Sequence, residues 1–375
     1  MKLLSLVTLI VWLLSLGRTI LNLLLMPRLA PRHPRRSPLL SVIIPARDEE
    51  RAIERTVRAM LAQDYPNLEV VVVNDRSTDA TGAILERLTR EDRRLVVVQG
   101  EEPPPGWLGK PHALHLGSRR ALGELLLFVD ADVVYQPGAL SAAVAHMEER
   151  DVPMLALLPH IEMHGFWEHV IMPNLAVFLF TFMPAWIGNR TRTPLLAVGG
   201  GPGNLVRRSD YDALGGHESL KDAVVDDVAV ARLFRRGGRR TEAVRAEQYV
   251  SVRMYHGLRE VVEGFTKNAF PVFGRSYLVA FAAIVLTAVF HVLPFVLALT
   301  GDLLALATVG VIILSRVILF SVLGYRLDNA ILGHPLMLLA WLWILVRSIW
   351  YTGIRRRLHW RGRTYDAEKT RFGAD

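Results

Sequence analysis

Four long apolar runs constrain this chain more than any other feature. Leu3 to Leu25 is almost wholly apolar, with Arg18 and Asn22 as its main interruptions. Ser276–Thr300, Leu303–Val322 and Pro335–Ile354 follow near the other end. A helix needs ~20 apolar residues to cross a bilayer, and each run has that length. A signal peptide would carry a shorter apolar stretch and a small-residue cleavage site, which Leu3–Leu25 lacks. Four such runs flanked by arginines are hard to bury in one soluble core.

The runs also explain the composition. Of 375 residues, 51% are hydrophobic and only 21% charged, yet the segment from Leu39 to Gly274 reads as an ordinary soluble α/β domain. So apolar a chain is not mainly disordered. The absence of cysteine excludes a disulfide scaffold, a thiol nucleophile and any Cys-ligated metal. The net charge of +8 points to a phosphate-rich partner, nucleic acid or an anionic membrane surface. Its densest clusters, Arg28–Arg36 and Arg355–Arg363, lie beside apolar runs and favour the membrane. No base-reading motif appears, so no nucleic-acid partner is expected.

The expected organisation is a transmembrane helix over 1–26 and a stiff basic linker over 27–38. An α/β domain follows over 39–274, then transmembrane or re-entrant helices over 275–354 and a basic tail over 355–375. The positive-inside rule places the α/β domain in the cytoplasm of a multi-pass inner-membrane protein. It places the tail there too, and four full spans cannot satisfy both. One segment is therefore expected to be re-entrant or interfacial, and Leu303–Val322 is the suspect because Arg316 sits inside it. The apolar segment 166–187 carries Trp167, Trp186, Pro173 and Pro184. As a span it would put Asp132 and Asp227 on opposite faces, so a membrane-surface helix pair is expected.

Within the domain, Ser41–Pro45, Glu69–Val73, Leu95–Gln99 and Leu125–Val129 read as buried strands alternating with helices. That alternation implies a mostly parallel sheet covered on both faces, with ligands at the carboxyl ends of its strands. Asp48, Asp75, Asp130 and Asp132 all follow such ends. Like charges on one rim require a cation. In Asp130-Ala131-Asp132, a continued extended backbone would turn both carboxylates to one side. They then suit a hard divalent cation, Mg2+ or Mn2+, completed by phosphate oxygens and water. Asp75 suits a nucleobase or ribose, and Pro45-Ala46-Arg47-Asp48 follows the first strand in the same way. Lys110, in Gly106-Trp107-Leu108-Gly109-Lys110, suits phosphate as a point charge. His112 and His115 lack a third partner and read as packed or surface residues. A short strand, Leu195–Val198, precedes the loop Gly199-Gly200-Gly201-Pro202-Gly203-Asn204, whose glycines permit close approach to a substrate. Asp226-Asp227 opens a helix, as caps or with one of them a general base.

These elements, in this order, resemble the family 2 glycosyltransferases over roughly Leu39 to Asn268. The resemblance rests on the segments holding Asp48 and Asp75, on Gly109-Lys110 with Ala113-Leu114, on Asp130-Ala131-Asp132 and on the acidic pair. It implies a GT-A fold, α/β and Rossmann-like, flanked by transmembrane helices. In that family the second acidic residue of the pair is the catalytic base, here Asp227. The first is usually Glu, so Asp226 is a departure. Gly215-Gly216-His217, Arg253-Met254-Tyr255 and Gly264–Asn268 look like the bacterial hopanoid- and carotenoid-associated transferases, distant relatives of ceramide glucosyltransferase. A Gln/Arg-x-x-Arg-Trp motif of processive polysaccharide synthases is absent.

The resemblance implies inverting transfer from a nucleotide-diphosphate sugar, UDP-linked, to a lipid hydroxyl at the membrane. Pro45, Asp48, Asp75, Lys110, Asp130, Ala131 and Asp132 would bind the donor. Gly201, Asn204, His217, Arg253 and Lys267 would serve the acceptor and diphosphate region, with Arg253 or Lys267 supporting the leaving group. Polyprenyl-phosphate glycosylation and polymer synthesis are the alternatives.

Overall fold

Runs of valine, isoleucine and leucine build the strands, and glycine, proline and acidic residues end them. The computed structural model describes residues 2–355, 357–360 and 363–366, and divides the chain into two compact units. An α/β unit comprises Pro27–Glu162 and Ile187–Met254. A helical unit comprises the N-terminal segment to Met26, Met163–Trp186 and the described residues from Tyr255. Part of the expected basic tail, including Arg356, Arg361 and residues 367–375, lies outside the described residues.

The strands of the α/β unit are β1 (Leu40–Ala46), β2 (Leu68–Asn74), β3 (Leu95–Gln99), β4 (Leu125–Phe128) and β5 (Val133–Tyr135). They continue as β6 (Met154–Leu158), β7 (His160–Ile161), β8 (Asn204–Arg207), β9 (Thr241–Arg245) and β10 (Val250–Val252). A seven-stranded sheet has the order β3-β2-β1-β4-β8-β6-β9. It is parallel except for β8, which runs against both β4 and β6. Strand side chains alternate between faces, and both faces are covered. Val42, Ile44, Val70, Val72 and Leu127 join one core cluster, while Ile43, Val71, Leu126 and Phe128 join another. Pro45 is tolerated in this central strand because β1 pairs with β4 only from Leu40 to Ile43. A second sheet, β5-β10-β7, stands beside the end of β4 in sequence.

Three local expectations differ from the structure. The expected linker is part of the α/β unit. Leu29 donates its N–H to Arg245 O at 2.8 Å, Arg245 donates back to Pro27 O at 2.8 Å, and Leu29 is fully buried. Leu29 inside an arginine-rich run is the apolar anchor that does this. The expected strand Leu195–Val198 is instead a 3-10 turn at Pro194–Leu196. Pro194 lacks a ladder donor and Leu195 is exposed, so no strand partner is gained. The helix after β1, whose acidic start in the sequence reads as Asp48, begins at Ile53 instead, because the intervening residues brace a neighbouring loop.

The helical unit is apolar outward. Helix Lys2–Leu25 buries Ser5, Thr8, Trp12, Ser15, Thr19 and Asn22, while Leu3, Leu6, Ile10, Leu13, Leu14 and Leu24 are exposed. A helix in water buries its leucines; one in lipid hides its polar side chains against other helices. The buried residues recur at alternating steps of three and four, a seam suited to shallow crossing. That seam meets helix Leu303–Leu323, with Thr19 Oγ1 at 3.3 Å from Ser315 Oγ. Ser5 donates to Asp302 at 2.7 Å at the start of that helix.

Four helices are long and apolar enough to cross a membrane: Lys2–Leu25, Tyr277–Leu299, Leu303–Leu323 and Leu327–Ile354. The segment suspected of being re-entrant or interfacial, Leu303–Leu323, is a continuous helix that runs through Arg316. Its guanidinium donates to Asn329 O and Ala330 O, each at 3.0 Å. Irregular backbone falls instead at the π-turn Ala288–Val292, with Pro294 just after it. The segment Phe166–Phe182 is short for a span and is broken into two short helices and a π-turn. Asn22 holds it by donating to Phe180 O (2.8 Å) and Met183 O (2.7 Å) and accepting from Trp186 N (3.0 Å).

Candidate active site

The acidic residues after β1 and β2 fix two loops to each other. Asp48 Oδ1 accepts from Thr78 N at 2.8 Å, and Ser77 Oγ accepts from Asp48 N at 3.1 Å. Glu50 accepts from Ala80 N, and Asp79 accepts from Glu50 N, both at 3.0 Å. Asp48 and Arg76 take left-handed φ values of 52° and 54°. For non-glycine residues this stores backbone strain of the kind concentrated at functional sites. Asp75 is buried, with Arg76 Nε at 3.3 Å and Arg47 Nη1 at 3.7 Å. Gly100 crosses behind it, where an added Cβ would lie 2.9 Å from Asp75 Cα.

At the end of β4 the backbone turns rather than staying extended. Val133 N approaches Asp130 O at 3.4 Å across Ala131 and Asp132. Buried Ala131 is pinned through its carbonyl by Thr56 Oγ1 at 2.8 Å. Asp130 and Asp132 therefore share one tight turn, and strand alternation is not what relates them.

The glycine-rich loop closes on this turn. Asp130 N donates to Gly201 O at 2.8 Å, and Gly201 N donates to Asp227 Oδ2 at 2.7 Å. A side chain at Gly201 would run into the Asp130 carboxylate, and one at Gly199 into the Asp227 carbonyl. Asn204, at the start of β8, donates to Asp227 O at 3.2 Å. Asp227 Oδ1 also accepts from Val228 N at 2.7 Å. One loop thus orients both the Asp130 turn and the Asp227 carboxylate.

Lys110 joins the two acidic segments. Its Nζ lies 2.7 Å from Asp130 Oδ1 and 3.1 Å from Asp226 Oδ1. Burial works against the ammonium, but Asp130, Asp226 and Asp227 hold it charged well above the usual lysine range. Burial lifts the Asp226 carboxyl to about 6; Lys110 opposes the rise, and Asp227 and Asp130 add to it. Lys110 is the second residue of helix Gly109–Arg120, and Leu108 N just before it donates to Lys221 O at 2.7 Å.

His217 is buried behind this group. Its Nδ1 lies 2.7 Å from Tyr211 Oη, and its backbone N donates to the same hydroxyl at 2.9 Å. Burial and the nearby Lys110 depress its imidazole to about 3, so it is neutral. His112 and His115 both face Trp107, with ring centroids at 5.4 and 5.0 Å. Arg253 follows β10 in the α/β unit, whereas Lys267 lies on helix Gly257–Ala269 of the helical unit.

One supporting residue had no sequence signal. Arg235 looks like a solvated charge in the last turn of helix Asp226–Arg236 but is buried. It donates to Thr241 Oγ1 at 2.7 Å and to Thr193 O and Gly188 O at 2.9 Å. It thereby ties the segment entering the glycine-rich loop to the helix that carries Asp227.

Carboxylates, a lysine and a glycine-rich loop at strand ends match what residues 41–215 show by comparison: they fit the description Glycosyl transferase family 2. Residues 41–215 form a family 2 glycosyltransferase domain. The chain is a glycosyltransferase with a GT-A-like α/β fold. The 4,4'-diaponeurosporenoate glycosyltransferase of Staphylococcus aureus strain MRSA252 is 26% identical over 342 residues, spanning 88% of this chain and 89% of the relative. A mannosyltransferase from Pyrobaculum calidifontis, solved with GDP-Man and Mn2+, superposes with a TM-score of 0.60 at 21% identity. That match covers 93% of this chain and 98% of the other, and it supports the fold.

Proposed function

We propose that this glycosyltransferase moves a sugar from a nucleoside-diphosphate sugar to a carotenoid-like membrane lipid, with inversion. The observation that carries the reading is the group formed by Lys110, Asp130, Asp226 and Asp227 on the glycine-rich loop. Asp75 and Asp48 lie at neighbouring strand ends, where a nucleoside is held in such sheets. Lys110 suits the diphosphate as a point charge.

The donor set fits a divalent cation. Asp130 and Asp132 supply hard oxygens from one turn, and the Lys110 ammonium against Asp130 shows that the place favours positive charge. Among the described residues no three His, Cys, Asp or Glu side chains converge as a metal cage, so diphosphate oxygens and water would complete the shell. Mg2+ or Mn2+ bound there would stabilise negative charge developing on the leaving diphosphate. The mannosyltransferase of the same fold was solved with Mn2+, in line with this proposal.

Asp227 is the proposed base. Gly201 N and Val228 N fix its two oxygens, leaving further lone pairs for an acceptor hydroxyl. Proton removal by Asp227 as the hydroxyl attacks the anomeric carbon is typically worth ~10²–10⁴-fold. The outward-apolar helices support a multi-pass membrane protein. Arg28–Arg36 and the cytoplasmic supply of nucleotide sugars favour a cytoplasmic α/β unit. Within that cluster, Arg28 pairs with Glu247 at 3.3 Å and Arg32 with Glu149, so part of its charge serves the fold.

The Staphylococcus aureus relative is named for a carotenoid acid, which favours a second reading in which the acceptor is a carboxylate. An ionised carboxylate needs no base. The test is transfer of labelled sugar into lipid by the full chain and by Asp227→Asn. A loss of about 10²-fold or more in kcat, with donor affinity kept, supports a hydroxyl acceptor. Wild-type rates in the variant support the carboxylate. No transfer by the wild-type chain from any nucleotide sugar would sink both.

A further inference from the structure

We infer that Lys110 and the divalent cation compete for Asp130, so that the cation binds tightly only together with the nucleoside diphosphate. The inference rests on the donor site proposed above.

The competition is written in the ion pairs. Lys110 Nζ uses Asp130 Oδ1 at 2.7 Å, one of the oxygens the cation must share. Its second partner is Asp226 Oδ1 at 3.1 Å, so the ammonium is held from two sides. A divalent ion on Asp130 would stand a few ångströms from that ammonium, and their repulsion in a partly buried site is not screened as in water. The turn gives little room to avoid this. Ala131 is pinned by Thr56, and Gly201 packs against the Asp130 carboxylate.

The lysine, by contrast, is free to move its charge. About a third of its side chain (36%) is exposed, and its stem is flexible. Its backbone is held by the helix start and by the Leu108–Lys221 hydrogen bond. A diphosphate arriving at the turn would provide oxygens for the cation and a new acceptor for the ammonium. Lys110 then turns from competitor to ligand. Coupling between two ligands is reciprocal, so the factor by which diphosphate tightens the cation equals that by which the cation tightens diphosphate.

The experiment measures free Mn2+ by electron paramagnetic resonance during titration of the full chain in detergent. It uses Mn2+ alone, Mn2+ with UDP and Mn2+ with GDP. Wild type should bind Mn2+ weakly alone and about tenfold or more tightly with one of the nucleotides, within the usual range of coupling. Lys110→Met should tighten Mn2+ alone by roughly tenfold and shrink the nucleotide effect by the same factor. Lys110→Arg keeps the positive charge and should stay weak with Mn2+ alone, which also separates charge from folding. Mn2+ alone binding Lys110→Met no tighter than wild type and Lys110→Arg would overturn the inference while leaving the donor site intact. Wild type binding neither nucleotide with Mn2+ would overturn the donor site and, with it, the inference.

Discussion

Gly201→Ala is the sharpest test of the glycine-rich loop. An added Cβ would sit 2.7 Å from Asp130 Cγ and closer still to the carboxylate oxygen. Carbon atoms rest at ~3.5–4.0 Å, so the loop or the carboxylate must retreat by about 1 Å. Gly201 also accepts from Asp130 N and donates to Asp227 Oδ2, so a retreat displaces both acidic groups together. A misplacement of ~1 Å typically costs about 10²-fold in rate. That corresponds to ~2.7 kcal/mol of transition-state stabilisation. The stability loss should be small, about 1–2 kcal/mol, because the strain falls on a partly exposed carboxylate and not on the packed core. The assay is sugar transfer into extracted lipid by purified full-length protein, beside thermal unfolding of the same samples. The expected result is kcat/KM down by about 10²-fold with Tm lower by only a few degrees. A variant within about threefold of wild type in kcat/KM would refute the idea that this loop sets the two carboxylates.

Two further outcomes follow from the same structure. Asp226 titrates at about 6 in the fold, above its unfolded value of ~3.9, so its contribution is fully present below pH ~4 and is lost as pH rises through 6. Thermal unfolding should therefore show Asp226→Asn gaining on wild type between pH 4.5 and 7.5, by at most ~3 kcal/mol, and a gap that ignores pH would contradict the burial of this carboxyl. In the helical unit, Asn22→Leu makes the first helix more apolar yet removes its bonds to Phe180 O, Met183 O and Trp186 N. Stability in detergent should fall by about 1–2 kcal/mol, and a variant as stable as wild type would show the polar seam to be idle.

The parts of this protein that were legible in sequence are those set by local patterning. Buried parallel strands announce themselves as continuous Val/Ile/Leu runs, which is why β1, β2 and β4 were readable to within a residue or two. The long apolar helices were readable because crossing lipid demands length and apolarity together. What escaped was fixed by contacts between distant residues. Asp130 and Asp132 looked extended because a strand precedes them, but Thr56 and Gly201 hold the chain in a turn there. Leu195 looked like a strand residue, but Pro194 and an exposed position deny it a ladder. Arg235 looked solvated, and only the fold brings the Gly188 and Thr193 carbonyls to it. Lys110 carried a phosphate-binding signal, but its partnership with Asp226 joins residues far apart in the chain and leaves no local trace.

The polar seam of helix Lys2–Leu25 bears on how the protein is made. Its partner helix, Leu303–Leu323, lies far along the chain and leaves the ribosome much later. At ~5–20 residues per second the first helix, as a proposed membrane span, waits for tens of seconds with its seam uncovered. Thr8 and Thr19 can bond back to Ser5 O and Ser15 O of their own helix, at 2.9 and 3.0 Å, and tolerate the wait. Asn22 has no such refuge: its partners in the finished bundle are Phe180, Met183 and Trp186. Both segments of the α/β unit are complete before Leu303 is made. The α/β unit is therefore complete in sequence before the seam of helix Lys2–Leu25 can be covered by Leu303–Leu323.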